Sequence, residues 1–261
     1  MTLSTVRLPQ IVRLTPSNYA DFLWCRRLYF TSALLRVPAS DAGRSPDQGH
    51  LVHAVLQELH TTGTCHDGAH VSSVLEAAQA DTDQMRAFVE RHARRCPAEV
   101  ERAAHEVDRA RFHKEPVPMF LASARIDVVW IHDGVLDVRD YKTGALRYER
   151  LADDPRARVQ AWVMARDARR TNLRLQLRYE HLQPEVDDDP EPWEPGDDDL
   201  AEIEEELRNA VTDMWRTDDW NGVAEVDVCR TCRYRSICRD SVAPGEPVWP
   251  VLSAGDDEDD R

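Results

Sequence analysis

No apolar run in the 261-residue chain approaches the roughly 20 residues that a membrane-spanning helix needs. The first residues, MTLSTVRLPQIVRL, show neither the apolar segment nor the small-residue cleavage site of a secretory leader. A cytoplasmic protein is the expectation, and in that compartment six cysteines read as metal ligands or buried thiols rather than disulfides. A phosphate-binding loop is missing as well. The only Lys-Ser/Thr pair, Lys142-Thr143, follows Tyr141 instead of glycine, and Leu136 stands where the earlier glycine belongs, which excludes an intrinsic nucleotide-driven motor. Lysine itself is scarce: only Lys114 and Lys142 occur among 33 basic residues, so a lysine retained against this arginine bias carries information.

The formal net charge of −15 is unevenly spread. Twelve acids lie between Asp187 and Glu206 and five between Asp256 and Asp260; without these seventeen and Arg261 the remainder carries +1. A local basic groove for nucleic acid is compatible with that remainder. With 42% hydrophobic residues the chain can bury the core of one large domain with insertions.

Helical periodicity predicts a helix over 17–35 with Ser17 as its cap, a second over 49–60 and a third over 71–95, while 98–114 stays ambiguous between helix and strand. Two β-rich runs flank Asp133-Gly134, the favoured pair for a two-residue hairpin turn. If His132 faces Val135, then Val129 faces Val138, Asp127 faces Asp140 and Arg125 faces Lys142, all on one sheet face. A helix over 155–169, an alternating strand LRLQLRYEHL and a helix from Leu200 to Trp215 follow. The acidic, proline-containing stretch 184–199 reads as a flexible insertion and 241–261 as a disordered tail.

Two carboxylates opposed on one face repel unless a cation lies between them, and oxygen ligands suit magnesium or manganese. Lys142, two residues beyond Asp140, could orient a metal-bound water and stabilise charge on a phosphate, as phosphodiester hydrolysis requires. An exposed salt-bridge ladder of Arg125, Asp127, Asp140 and Lys142 is the alternative reading of the spacing alone. Cys229, Cys232 and Cys238 form a Cys-x2-Cys-x5-Cys cluster with room for a fourth ligand, for which Cys25 is the candidate, giving structural zinc or an iron–sulfur cluster and closing a loop of 204 residues. Arg26, Arg27, Arg233 and Arg235 interleave with these cysteines as a candidate strand-guiding surface, with solvated arginines as the plainer alternative. Cys65 and Cys96 lack close cysteine partners and read as incidental thiols.

Taken in order, CRRLYF with Cys25, GHLVH with His53, ARID with Asp127, DYKTG with Asp140 and Lys142, QAWVM with Gln160, and CRTCRYRSIC with Cys229, Cys232 and Cys238 resemble the RecB-like exonucleases of the PD-(D/E)XK superfamily. Ala124, the absence of proline after Cys25, and Met164 depart from the usual pattern of those blocks. The resemblance implies an α/β fold, a restriction-endonuclease-like αβββαβ core with a mixed sheet flanked by helices, helical additions and a terminal iron–sulfur module. It implies one nuclease domain over 1–240, with its core at about 49–183 and the cluster formed by 17–35 with 225–240. His53, Asp127, Asp140 and the backbone carbonyl of Tyr141 would hold Mg2+ or Mn2+, Lys142 would be the catalytic lysine, and Gln160 would place substrate or lysine. Its cluster would be [4Fe–4S], with structural Zn2+ as the alternative, as in CRISPR-associated and AddB-type exonucleases. The implied activity is metal-dependent cleavage of single-stranded DNA or duplex ends, in repair and recombination beside a separate helicase or in spacer processing with CRISPR adaptation proteins. A catalytically inactive iron–sulfur module that binds nucleic acid is the alternative.

Overall fold

In a computed structural model, which describes residues 11–38, 46–96, 103–114, 119–143, 148–183, 189–223 and 225–242, Asp133 and Gly134 take φ values of 45° and 76°. Two successive left-handed residues make the tight turn whose twist matches its strands, and Gly134 bears the larger angle at no steric cost. Around that turn the chain runs β1 (Ile11–Leu14), α1 (Pro16–Trp24), α2 (Arg26–Tyr29) and a π-helical turn (Phe30–Leu34). Three helices follow: α3 (Pro46–Thr62), α4 (Gly68–Ala77) and α5 (Asp83–Ala93). Next come β2 (Ala103–His113), β3 (Met119–His132) and β4 (Val135–Lys142). A 3₁₀ turn (Leu151–Asp153) leads into α6 (Pro155–Thr171), β5 (Arg174–His181), α7 (Asp197–Arg216) and α8 (Val226–Thr231).

The chain divides into two compact units, Met1–Ala20 with Ser45–Asp218 and Asp21–Arg44 with Asp219–Arg261. The first holds a mixed five-stranded sheet in the order β1-β3-β4-β5, with β2 paired to β3. β3 meets β2 and β4 antiparallel and β1 parallel, and β4 meets β5 parallel after the α6 crossover. This is the mixed α/β architecture of a restriction-endonuclease-like core, with α4 and α5 added between the first helix and the three strands.

α3, α4 and α5 pour Val55, Leu59, Leu75 and Phe88 into one buried cluster that includes Val128, Tyr141 and Leu182 of the sheet side. α6 lies against β3 and β5, its Trp162 ring 5.4 Å from Phe120, and α7 packs on α6. Burial of such large apolar side chains contributes on the order of 1.5–3 kcal/mol each, so these two groups of helices are what hold the sheet between them. The second unit has a smaller core of Cys25, Leu28, Val228 and Tyr234. There, Tyr29 stacks on Trp220 at 6.0 Å.

Four local expectations need correction. The helix expected over 17–35 breaks at Cys25, whose extended backbone (φ −165°) starts α2, and the cap at its head is Thr15, paired reciprocally with Asn18, instead of Ser17. The helix expected over 71–95 is two, because Gln79 turns left-handed (φ 54°) and Thr82 accepts the Met85 N–H at 3.2 Å to cap a new start. The ambiguous 98–114 contains β2, paired with β3 along its length. The stretch expected to be flexible is ordered from Asp189: Trp193 exchanges backbone hydrogen bonds with Leu177, and Asp197–Asp199 supply the acidic first turn of α7 that a helix N-terminus favours. Residues 184–188, and 243–261 of the expected tail, lie outside the described residues. No helix among the described residues is long and apolar enough to cross a membrane.

α6 is positioned by the residue just before it. Asp154 caps it by accepting the Arg156 N–H at 2.8 Å, and its other oxygen accepts the buried Tyr179 hydroxyl of β5 at 3.0 Å. Asp154→Ala removes both acceptors. We expect a loss of about 2–4 kcal/mol, from an uncapped helix plus an orphaned buried hydroxyl, read from urea denaturation. Asp154→Asn keeps one carbonyl oxygen to accept the helix N–H and presents an amide NH2 from which the Tyr179 hydroxyl can accept, so it should lose less than half as much.

Candidate active site

β3 is longer than its neighbours on one edge. β2 pairs along it, but the other edge is shared, with β1 beside Met119–Ala122 and β4 beside Val128–His132. Among the described residues, 123–127 therefore face no strand on that edge, and a cleft of about 950 Å³ opens there. It is lined by His53, Glu106, Asp127, Asp140, Lys142 and Gln160 among others.

The expected hairpin register holds from His132↔Val135 to Val128↔Arg139 and stops one pair short of Asp127 and Asp140. There a side chain replaces the ladder: Asp127 Oδ2 accepts the Tyr141 backbone N–H at 2.6 Å, while its Oδ1 lies 3.0 Å from Nδ1 of His53 on α3. Alternation along β4 sends Tyr141 into the apolar cluster under α3–α5 and Asp140 and Lys142 into the cleft. Asp140 Oδ2 accepts from Lys142 Nζ at 2.7 Å and from Gln160 Nε2 of α6 at 2.8 Å. Lys142 Nζ also sits 4.2 Å from the Tyr179 ring, a cation–π contact that fixes the ammonium. The five side chains named from the sequence thus meet in one place, brought from α3, β3, β4 and α6. The exposed salt-bridge ladder does not form: Asp127 is only 7% exposed, and Arg125 pairs with Glu106.

Glu106 on β2 escaped the sequence reading. It stands across from Asp127 at the one step the β2–β3 ladder skips, between His105↔Val128 and Val107↔Ile126, and its φ is 51°. Left-handed backbone at a non-glycine residue is strained and clusters at functional sites. His53, Glu106 and Asp127 offer ligand atoms that all lie within 4.8 Å of one another. Only an acid in an otherwise alternating HEVDRARFH run could have signalled it.

The site's electrostatics divide the carboxylates. Burial, then the Asp140 anion, push Asp127 up to about 6, against the pull of His53 and the Tyr141 N–H. Burial also works against Asp140, but the Lys142 ammonium, with hydrogen bonds from Lys142 and Gln160, holds it below the usual carboxylate value. Burial disfavours a charged His53, and its hydrogen bond to Asp127 with the charges of Asp127, Asp140 and Glu106 outweighs that and raises it. Carboxylate oxygens with one imidazole are the donor set of a hard divalent cation, and the raised Asp127 is the mark of a site short of positive charge.

In the second unit Cys25, Cys229, Cys232 and Cys238 line one pocket. The Tyr234 N–H donates to Cys232 Sγ at 3.4 Å, the kind of amide contact that stabilises a thiolate ligand. Of the four arginines named beside them, Arg27 pairs with Asp240 at 3.3 Å and Arg233 with Asp21 at 2.5 Å. Arg26 lies 5.8 Å from the Phe22 ring, and Arg235 donates to the Arg230 carbonyl at 3.3 Å. A further group, His60, Cys65, His92 and Cys96, comes together in the first unit, although Cys65 and Cys96 read as incidental from sequence. The overlooked signal is a histidine followed closely by a cysteine, twice, as His-x4-Cys and His-x3-Cys.

A family model described as the PD-(D/E)XK nuclease superfamily matches residues 13–239. A solved structure described as "Crystal structure of SSO0001" is similar at 13% identity and a TM-score of 0.41, covering 92% of this chain and 91% of that one. No curated protein matches the chain.

The balance of charges predicts a titration. In chelator-treated protein the Asp127 carboxyl should titrate at about 6, followed by carboxyl-carbon NMR, and Asp140→Asn should bring it down toward 3.8 by removing the neighbouring anion. His53→Ala should move it the other way. A midpoint indifferent to Asp140→Asn would mean that the two carboxylates do not interact.

Proposed function

The chain belongs to the PD-(D/E)XK nuclease superfamily, and from that membership we propose that it is a divalent-metal-dependent DNA exonuclease of the RecB-like branch, working on single strands or duplex ends. The observation that carries the reading is the convergence on Asp140 Oδ2 of Lys142 and Gln160, beside Asp127 and His53, in a cleft open to solvent. Asp127, Asp140, His53 and the Tyr141 carbonyl would hold Mg2+ or Mn2+, and Glu106 adds a carboxylate to that set. Bound there, the ion would supply Lewis-acid polarisation of the scissile phosphate and acidify a water.

The remaining work falls to the protein. Lys142, tethered to Asp140 and steadied by the Tyr179 ring, orients the attacking water and neutralises charge growing on the phosphate. Gln160 fixes the Asp140 carboxylate, which stays anionic and so keeps Lys142 in place. The water oxygen forms the new bond to phosphorus, the bond to the departing sugar oxygen breaks, the water proton passes to solvent, and the leaving oxygen takes one up. The same reading puts a [4Fe–4S] cluster on Cys25, Cys229, Cys232 and Cys238: four thiols around one pocket, one already receiving an amide hydrogen bond, match that ligand set. Arg26, Arg27, Arg233 and Arg235 are assigned the task of guiding the strand past it.

Two measurements test this. End-labelled DNA with Mn2+ should be shortened by the anaerobically purified protein and left intact with EDTA, and Lys142→Ala should slow cleavage on the order of 10²–10⁴-fold while keeping the circular-dichroism spectrum of the folded wild type. DNA that is bound but never cut would turn the reading to an inactive nucleic-acid-binding module. Cys25→Ser should lose the visible absorbance and bound iron of the wild type; zinc in place of iron in wild-type protein would reassign that site.

A further inference from the structure

The last turn of α3 carries His60 and the last turn of α5 carries His92, and each helix is followed at once by a cysteine, Cys65 and Cys96. The two imidazoles face each other with Nε2 atoms 2.8 Å apart, and Cys65 Sγ lies 4.0 Å from His92 Nε2. All four ligand atoms fall within 4.8 Å of one another, in a place where His92 is 0% and Cys65 2% exposed. A tetrahedron with zinc-to-nitrogen bonds of about 2.0–2.1 Å and zinc-to-sulfur bonds of about 2.3 Å has edges of about 3.3 Å between nitrogens and about 3.5 Å from nitrogen to sulfur, each about 0.5 Å from the separation seen here, a shift that side-chain rotation covers.

A second shell is already built. His92 Nδ1 lies 3.0 Å from the buried Glu180 carboxylate of β5. A carboxylate only accepts, so Nδ1 carries the proton of that bond, and it is Nε2 that is turned toward the cysteines. Loss of any Nε2 proton to an incoming metal completes the carboxylate–histidine–metal arrangement that orients imidazole ligands in metalloproteins. Two nitrogens and two sulfurs with no carboxylate oxygen among them is a zinc set and a poor one for magnesium or manganese.

We propose that His60, Cys65, His92 and Cys96 form a structural zinc site in the first unit, separate from the cleft and from the four-cysteine pocket. Its role is to position the cleft. His60 stands two helical turns along α3 from His53, on the same face. The Tyr141 ring, between Asp140 and Lys142 in sequence, lies 4.8 Å from His92 and 6.1 Å from His60. Zinc would therefore clamp the ends of α3 and α5 onto the strand that supplies both cleft residues. The proposal stands whether or not the cleft is a nuclease.

The test uses the full-length protein, prepared without a histidine tag and passed through a brief chelator wash. Metal analysis should return about one zinc per chain, with two nitrogens and two sulfurs in its X-ray absorption first shell. Cys96→Ser, checked for fold by circular dichroism, should lose that zinc, whereas Cys229→Ser should keep it. If Cys96→Ser does not fold, Co2+ added to chelated Cys229→Ser protein, whose four-cysteine pocket is broken, still decides: thiolate charge transfer and tetrahedral ligand-field bands, bleached by about one equivalent of zinc, support the site. A folded wild type that holds no zinc, with no cobalt spectrum from folded Cys229→Ser, overturns the proposal, as does an all-sulfur first shell or a Cys65–Cys96 disulfide.

Discussion

The buried carboxylate of Asp127 is the point through which the cleft is built. One oxygen takes the histidine of α3 and the other takes the backbone N–H that would have continued the β3–β4 ladder. With that single residue the sheet stops pairing, a helix is anchored above it, and the strands part where a substrate backbone can enter. The cost is a carboxylate in a place that disfavours its charge, which is why its pKa is raised to about 6 and why positive charge is wanted nearby.

Beside this point Lys142 is the cation bonded to Asp140. Lys142 is held by a carboxylate on one side and an aromatic face on the other, leaving little rotamer freedom to a side chain that is usually among the most mobile. The helices that approach from either side are packed along their lengths and pinned at their ends as well, α6 by the Asp154 cap and α3 by the His60–His92 contact at its last turn. His53 and Gln160 are thus held both by the cleft carboxylates they touch and by contacts about two helical turns away.

The β3–β4 hairpin was legible because strand alternation and a two-residue turn fix register by arithmetic, and Val129↔Val138 followed from Asp133-Gly134 alone; His53 and Gln160 came only from the resemblance of their short sequence blocks, and β1 carried no signal that was read. The arithmetic failed at Asp127 and Asp140, where a side chain took over a backbone bond, an event with no periodic signature. Periodicity also ran two helices together across Gln79, since only a left-handed residue marks that break and glutamine does not announce it. Acidity was mistaken for mobility at 189–199: charge counts do not register that Trp193 can pin a strand edge or that three aspartates suit a helix start. Glu106 and the His60–Cys96 group left only faint signals, for a different reason. Their partners are distant in sequence, and only folding makes them neighbours.

The alternation of β4 has an evolutionary corollary. Asp140 and Lys142 belong to one side and Tyr141 to the other, so the strand serves a polar cleft and an apolar cluster with opposite parities. Loss or gain of one residue between Val135 and Tyr141 would exchange them, driving two charges into hydrocarbon and an aromatic ring into the cleft. Changes of two residues, or changes at the Asp133-Gly134 tip, preserve parity. Length variation among descendants of this chain should therefore be even-numbered within the hairpin arm and unconstrained at its turn.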